Sequence, residues 1–433
     1  MKTKISIPVY MITAMAVCVL LLLISACIPV KLIQKQSEKS AEYFAKRQPF
    51  ALVMGNHVNS IQDNYSDTVL CDIAYCIDTS HPLASAIRAK YAQSEYEEAY
   101  EGYLAVVNGT EEPNREYGRY WHGSLVLIRP LLTVMHIGTI RFLCGMIIMI
   151  LQAGIAFILI RMKKTSFAIC WLLALFLVHP WMFFTSLEYG TAFLTASAAS
   201  LAMLLKKDHT DAGTMPFFVV VGVITCFVDF LTTETLTFTL PMLLLLVIRM
   251  SEEVGIVSVI KNGICWMSGY LMMFVLKLGL LTAVAGADVM KSSMDEGLLR
   301  LGGEVRTANI STAPVVGFGK QLSGAVWHNL ACLYPTPTGE MRPTGVLIAT
   351  VLIAAIGFAA VYLLHDRIDV KMFLPMGMIA VLPYLRFLVL SNHSYLHFFI
   401  TYRAQMVTIA VFAFYVYENA IRQIIKPVNG VTV

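Results

Sequence analysis

The sequence predicts an all-α polytopic membrane protein with about ten transmembrane helices, at about 20 residues per span, and two large extracytoplasmic loops. Three observations carry this. Of 433 residues, 57% are hydrophobic and only 14% charged, where soluble domains are roughly a quarter charged, and the mean hydropathy is +0.68. Apolar runs of spanning length recur along the chain. Lys and Arg gather in alternate short connections. Ten spans would occupy about 200 residues, so a large share of the chain lies outside lipid, more than a minimal pore needs. The net charge of +4 and the lack of a long basic run give no support to nucleic acid as a partner; the expected partner is the lipid bilayer. The nine cysteines are scattered, mostly within apolar runs, and read as small buried hydrophobes, not as a metal or disulfide framework.

In chain order, residues 1–30 hold the first helix. Its apolar run is longer than the signal-peptide core of roughly 7–15 residues, so it is read as uncleaved. Residues 31–123 form the first extracytoplasmic loop, opening with an amphipathic helix over 31–48 suited to a membrane interface. A short re-entrant piece over 123–136, carrying Arg129-Pro130, precedes transmembrane helices 2–7 within 124–285. Their runs lie at 138–160, 165–184, 188–205, 214–231, 233–249 and 262–285. Residues 286–343 form the second extracytoplasmic loop. Runs at 344–364, 370–390 and 400–421 make helices 8–10, and residues 344–433 end in a cytoplasmic tail. An inside N-terminus puts Lys2, Lys4, Arg161, Lys163, Lys164, Lys206, Lys207, Arg249, Lys261, Arg367 and Lys371 in inner connections, as the positive-inside rule requires. Both termini of a multi-pass plasma-membrane protein are then cytoplasmic. The first long loop balances nine Lys/Arg against thirteen Asp/Glu, and long translocated segments largely escape the rule.

This topology collects the unusual residues on the outer face. The stretch Asn59 to Asp72 is the richest carboxylate cluster. Asp63 and Asp67 are four apart and share a helix face, and Asp67 precedes a helix-compatible run, where a carboxylate is favoured as an N-cap. Asp72 completes the set. The same loop ends in Arg119-Tyr120-Trp121-His122-Gly123; aromatics beside Arg and His fit either an aromatic belt or a site that stacks a sugar and holds a phosphate. Further along, Glu188, Asp229 and Glu234 lie at outer helix ends, and Lys277 sits inside a span, where a cation is costly. The last outer connection is dense, with Arg386, His393, His397, Tyr402 and Arg403. His393 and His397 have i, i+4 spacing, but no HExxH pattern accompanies them, so an anion site is the sharper reading.

An inside first span, a large acidic external loop opening with an interfacial helix, about ten spans and outer-face cations together resemble the GT-C superfamily of integral membrane glycosyltransferases. The Arg119-Tyr-Trp-His-Gly stretch and the Ser391-Asn-His-Ser and Thr401-Tyr-Arg stretches are also similar to motifs of uncharacterised multi-pass proteins of Gram-positive bacteria. The resemblance implies a polyprenyl-phosphate-linked sugar donor, a glycan, lipid or protein acceptor, and a role in cell-envelope glycan assembly. It implies a functional aspartate in the first external loop, carried here by Asp67, with Asp63 or Asp72 next, as the base that takes the acceptor proton. Arg119, His122, Lys277, Arg386, His393, His397 and Arg403 would hold the phosphate. Tyr120, Trp121, Glu188, Asp229, Glu234 and Tyr402 would support them. A divalent cation stays open as a cofactor, since the loop has no DD or DxD pair. A lipid-linked oligosaccharide flippase or transporter, and a non-catalytic envelope-assembly scaffold, are the two other classes this architecture serves. The clean middles of most spans weigh against the first, and ionisable residues inside spans weigh against the second.

Overall fold

In a computed structural model the chain is described over residues 6–93, 98–250, 255–306, 314–339, 341–365 and 369–425. Lys2, Lys4, Arg367 and the end of the cytoplasmic tail lie outside these. The described chain is almost wholly helical: α1 Ile7–Ala26, α2 Val30–Ala45, α3 Tyr65–Tyr75, α4 Pro82–Arg88, α5 Ala99–Val107, α6 Leu125–Leu132, α7 Ile137–Arg161, α8 Thr165–Leu177, α9 Leu187–Leu205, α10 Asp211–Val228, α11 Leu236–Ile248, α12 Ile256–Ala285, α13 Ala287–Gly302, α14 Phe318–Ala331, α15 Pro343–Leu364, α16 Val370–Val389 and α17 Ser391–Leu396. A composite helix, α18, closes it over Phe398–Ile424. Two small antiparallel ribbons pair β1 Phe50–Leu52 with β2 Ile61–Asp63 and β3 Lys90–Tyr91 with β4 Arg115–Glu116.

Among the described residues seven helices are long and apolar enough to cross a membrane: α1, α7, α10, α12, α15, α16 and α18. The expected count of about ten is not confirmed by this number. The run at 165–184 is interrupted, because α8 ends at Leu177 and a 3-10 turn, Pro180–Phe184, follows left-handed His179. The run at 233–249 starts only at Leu236. At 1.5 Å per residue, α8 and α11 are about 20 Å long, short of an apolar core of about 30 Å. Helix α8 buries Phe167, Trp171 and Leu175 but exposes Ile169, Leu173 and Phe176, while α11 serves as buried packing, with every residue but the last buried. Helix α9, with Glu188 in its first turn and Ala and Ser along its faces, is likewise mostly buried. The spanning helices instead expose apolar side chains, such as Ile150, Phe157, Ile264 and Ile356, a surface that only lipid or a partner would cover.

Packing is closest between α10 and α12. A Cβ on Gly222 would meet the Trp266 carbonyl oxygen at 1.9 Å, and one on Gly269 would meet that of Val219 at 2.1 Å. The two glycines let the backbones touch, as small residues do between membrane helices.

Residues 30–123 are not an open loop. Helices α2 to α5 form a body that packs Ile33, Phe44, Cys71, Ile73, Ile87 and Tyr103 into a core shared with α1, α6, α7, α10 and α12, and α2 buries Ile33, Ala41 and Phe44 in it. Arg129 of α6, fully buried, donates to the carbonyl oxygens of Ser25, Ile28 and Ala74. One guanidinium thereby satisfies the carbonyl ends of both α1 and α3. The expected re-entrant piece is therefore a short helix that locks this body to the bundle. Cys71 and Cys76 are free thiols.

Candidate functional site

The body of residues 30–123 sits on the bundle end where α1, α10, α12 and α16 finish and α7, α9, α11 and α18 begin. Between them lies a cavity of about 620 Å³. Its walls bring together residues far apart in sequence: Asp63 and Asp67, Arg119, Tyr120 and His122, Glu188, then His393 and His397. Arg115, Tyr117, Glu296 and Arg300 also line it.

The carboxylates divide by what they touch. Arg141, buried in α7, donates from Nε to Asp67 Oδ2 at 2.7 Å, from Nη1 to Asn64 Oδ1 at 2.8 Å and from Nη2 to the Asp63 carbonyl at 3.2 Å. The N–H groups of Leu187 and Glu188 donate to Asp67 Oδ2 and Oδ1 at 2.8 and 3.2 Å. Asp67 is thus a fully buried anion whose two oxygens are taken by a guanidinium and by the N-terminus of α9, where a negative charge is stabilised. Asp63 sits one turn earlier. Its carboxylate accepts from the Ser66 N–H at 2.8 Å and the Ser66 hydroxyl at 3.0 Å, and it is hydrogen-bonded to the side chain of Glu188. Two carboxyls in hydrogen-bond contact cannot both ionise, so a proton sits between them. Burial pushes the Asp63 carboxyl above its ordinary range, with the Asp67 charge adding to it. The second oxygen of Glu188, Oε2, has no protein partner. Asp72 faces away from the cavity, accepting from the Ala92 N–H and the Cys76 thiol, both at 3.0 Å.

The histidines are neutral. His122 holds a left-handed backbone, φ 52°, and its Nε2 lies 2.9 Å from the Tyr117 carbonyl. A carbonyl only accepts, so Nε2 carries the proton and Nδ1, which has no protein partner, is a bare acceptor. Burial pushes His122 down to about 3. Burial also pushes His397 down to about 3, aided by Arg300, Arg386 and Arg119, and lowers His393. These rings offer hydrogen bonds to a ligand, not charge.

The positive charge comes from arginines. Arg119 lies 4.2 Å over the Tyr117 ring and 5.3 Å from that of Tyr120, and pairs with Glu296 of α13. Other cations singled out by sequence have internal partners and do not line the cavity. Lys277 donates to the Ile87 carbonyl at 2.6 Å, at the end of α4. Arg386 pairs with Glu234 at 2.8 Å and also donates to Ser394 and the Leu231 carbonyl. Arg403 donates to the Phe399 carbonyl at 2.8 Å and lies against the rings of Tyr189 and Tyr402 at 4.4 and 4.7 Å. Trp121 donates to the Met273 carbonyl at 3.0 Å, Asp229 accepts from Thr232, and the Tyr402 hydroxyl meets His179 Nδ1 at 2.9 Å. Among the described residues no group of three or more His, Cys, Asp or Glu is placed to hold a metal ion.

A second, almost wholly apolar groove of about 590 Å³ runs beside the cavity between α1, α6, α9 and α10. Among the described residues none lines both, but neighbouring residues of three chain segments divide between them. Gly123 and Ser124 line the groove where His122 lines the cavity, Thr191 follows Glu188 by one turn, and Phe227 precedes Phe230.

Sequence reasoning missed Arg141, Glu296 and Arg300. Arg141 looked like one polar residue at the edge of an apolar run. Glu296 and Arg300 left a faint signal, an i, i+4 pair on one helical face. No protein-family model, curated protein or solved structure matches the chain.

Proposed function

We propose that the chain is an integral membrane glycosyltransferase that moves a sugar from a polyprenyl-phosphate-linked donor to an acceptor on the extracytoplasmic face, with both termini cytoplasmic. The observation that carries this reading is that the segments 122–124, 188–191 and 227–230 each line both an acid- and arginine-lined cavity and, with neighbouring residues, an apolar groove. A polyprenyl phosphate sugar has that division of chemistry: the chain would lie in the groove and the phosphate and sugar in the cavity.

In this reading the phosphate sits by Arg119, whose fixed charge meets the negative charge that develops as the phosphate leaves. The acceptor hydroxyl gives its proton to the Asp63–Glu188 pair while its oxygen bonds to the anomeric carbon. Burial raises the Asp63 carboxyl, and a raised carboxylate is the stronger base. Asp67 is the anchor that holds the pair in place, so the base moves from Asp67, favoured by sequence, to Asp63. Neutral His122 accepts from a sugar hydroxyl, and Tyr117 and Tyr120 supply ring faces.

The test is the full chain reconstituted in lipid and offered polyprenyl-phosphate sugars, with Asp63→Asn beside wild type. Transfer should fall by about 10²–10⁴-fold, the size of a general-base contribution. A variant that transfers sugar at the wild-type rate sinks the assignment.

A further inference from the structure

Helix α13 is unlike every long helix around it, since none of its residues is buried. It leaves α12 through Gly286, at φ +91°, a conformation that glycine adopts without strain. Its far end is tied by hydrogen bonds from Gln321 and Asn392 to the Gly303 carbonyl, at 3.1 and 3.2 Å. Between these ends its two faces differ. Met294, Leu298 and Leu301, spaced i, i+4, i+7, are exposed. Glu296 and Arg300, four apart on another face, line the cavity.

The two charges are in different situations. Glu296 is paired with Arg119, the guanidinium stacked on Tyr117. Arg300 has no carboxylate within ion-pair distance among the described residues, although its charge acts on His397 and Tyr120. Arg119 Nε is buried and also without a partner. The helix thus brings one cation with spare donors into the cavity, and covers a second cation with an anion of its own.

We propose that α13 is a lid whose Glu296 stands in for a phosphate at Arg119, and that an incoming phosphate ester displaces Glu296 and is then held jointly by Arg119 and Arg300. This deepens the proposed function and rests on its placing a phosphate in this cavity. Exchange of one anion for another keeps the charge at Arg119 balanced, so no bare guanidinium is left in a half-closed site. The carboxylate of Glu296 is about half exposed, so its ion pair is weak enough to be replaced. Arg300, one turn further along the same face, moves with the lid and adds a charge-assisted hydrogen bond to the phosphate.

The experiment uses the full chain in nanodiscs, with farnesyl phosphate and inorganic phosphate as probes, and compares wild type with Glu296→Gln and Arg300→Gln. Glu296→Gln should bind farnesyl phosphate about two- to fivefold more tightly, the weight of an exposed ion pair removed from competition. Arg300→Gln should bind about tenfold more weakly. Amide exchange in 287–302 should speed up in Glu296→Gln without ligand, and farnesyl phosphate should slow it again, because the bound phosphate ties Arg300 of α13 to Arg119. The same pattern with inorganic phosphate as the better probe supports the lid with free phosphate as its ligand. If wild type binds but Glu296→Gln binds no more tightly, or Arg300→Gln binds as wild type does, the lid proposal fails and the phosphate reading stands. If neither probe binds to wild type or to Glu296→Gln, both are overturned.

Discussion

The first long polar segment, 31–123, and helix α13 of the second, 286–343, take opposite structural routes. The first packs α2, α3 and α5 around buried Phe44, Ile73 and Tyr103 and is fastened to the bundle by Arg129 and Arg141. In the second, α14 has buried residues and Asn59 of the first segment donates to the Cys332 and Tyr334 carbonyls, whereas α13 has no buried residue and its ion pair to the first is that of half-exposed Glu296 with Arg119. Both segments use an arginine–carboxylate pair against the same cavity. In Arg141–Asp67 the side chains are 1% and 0% exposed, and in Arg119–Glu296 they are 15% and 53% exposed. Identical chemistry gives a permanent fastening where water is excluded and an exchangeable contact where it is not.

The strongest way to break this comparison is to remove the buried partner. Arg141→Met leaves Asp67 as an uncompensated buried anion and should cost about 3–5 kcal/mol, enough to unseat 63–67 from α9. Thermal unfolding in detergent should show a large loss for Arg141→Met. It should show a smaller one for Arg141→Met combined with Asp67→Leu, because the double variant no longer buries an unpaired charge. Equal losses would mean that the pair does not act as a unit.

How far the sequence reached follows from the same distinction. Hydropathy reports side-chain composition, so it located the apolar helices, and the amphipathic pattern over 31–48 located α2. Its count of about ten spans is not confirmed, and α11 shows the difficulty: it is as apolar as a lipid-facing helix while being buried in protein, a difference that composition does not encode. The cluster Asp63–Asp67–Asp72 and the Arg119–His122 stretch were legible because polar residue types collect there. Which aspartate is ion-paired was not, since that depends on Arg141 and the α9 N-terminus, both remote in sequence. For the same reason Lys277 and Arg386 stood out as costly cations, while their partners, the Ile87 carbonyl and Glu234, appear only once the chain is folded.

A pH series sharpens the contrast, because the first segment buries titratable groups of opposite sign. Burial raises Asp72 to about 7, so the folded state binds its proton more tightly than the unfolded chain, whose carboxylate titrates near 3.9. The resulting stability is full below about pH 4 and is lost as pH rises through about 7. His122, lowered to about 3, works the other way: its contribution is full above about 6.5 and is lost as pH falls toward 3. Asp72→Asn should therefore gain on wild type in thermal stability between about pH 4 and 7. His122→Asn, which tolerates the left-handed backbone, should gain on it below pH 6.5. Each slope is at most about 1.4 kcal/mol per pH unit. A stability difference that stays flat with pH for both variants would remove these groups from the buried interior.

The smallest effect is the most discriminating. Glu296→Gln breaks the pair that holds α13 over the cavity, yet it should cost only about 0.2–1 kcal/mol of global stability, since the carboxylate is half in water and Arg119 keeps its stacking on Tyr117. Global unfolding should scarcely move while exchange in 287–302 rises, because opening of a helix with no buried residue is a local event with its own free energy. Raising the ionic strength should reproduce that loosening in wild type, since salt screens exposed pairs over about 10 Å at 0.1 M. The same salt should leave Arg141–Asp67, and with it the Asp63–Glu188 geometry, unchanged. A Glu296→Gln loss as large as that of Arg141→Met would place α13 in the same cooperative unit as the first segment and abolish the distinction between fastening and lid.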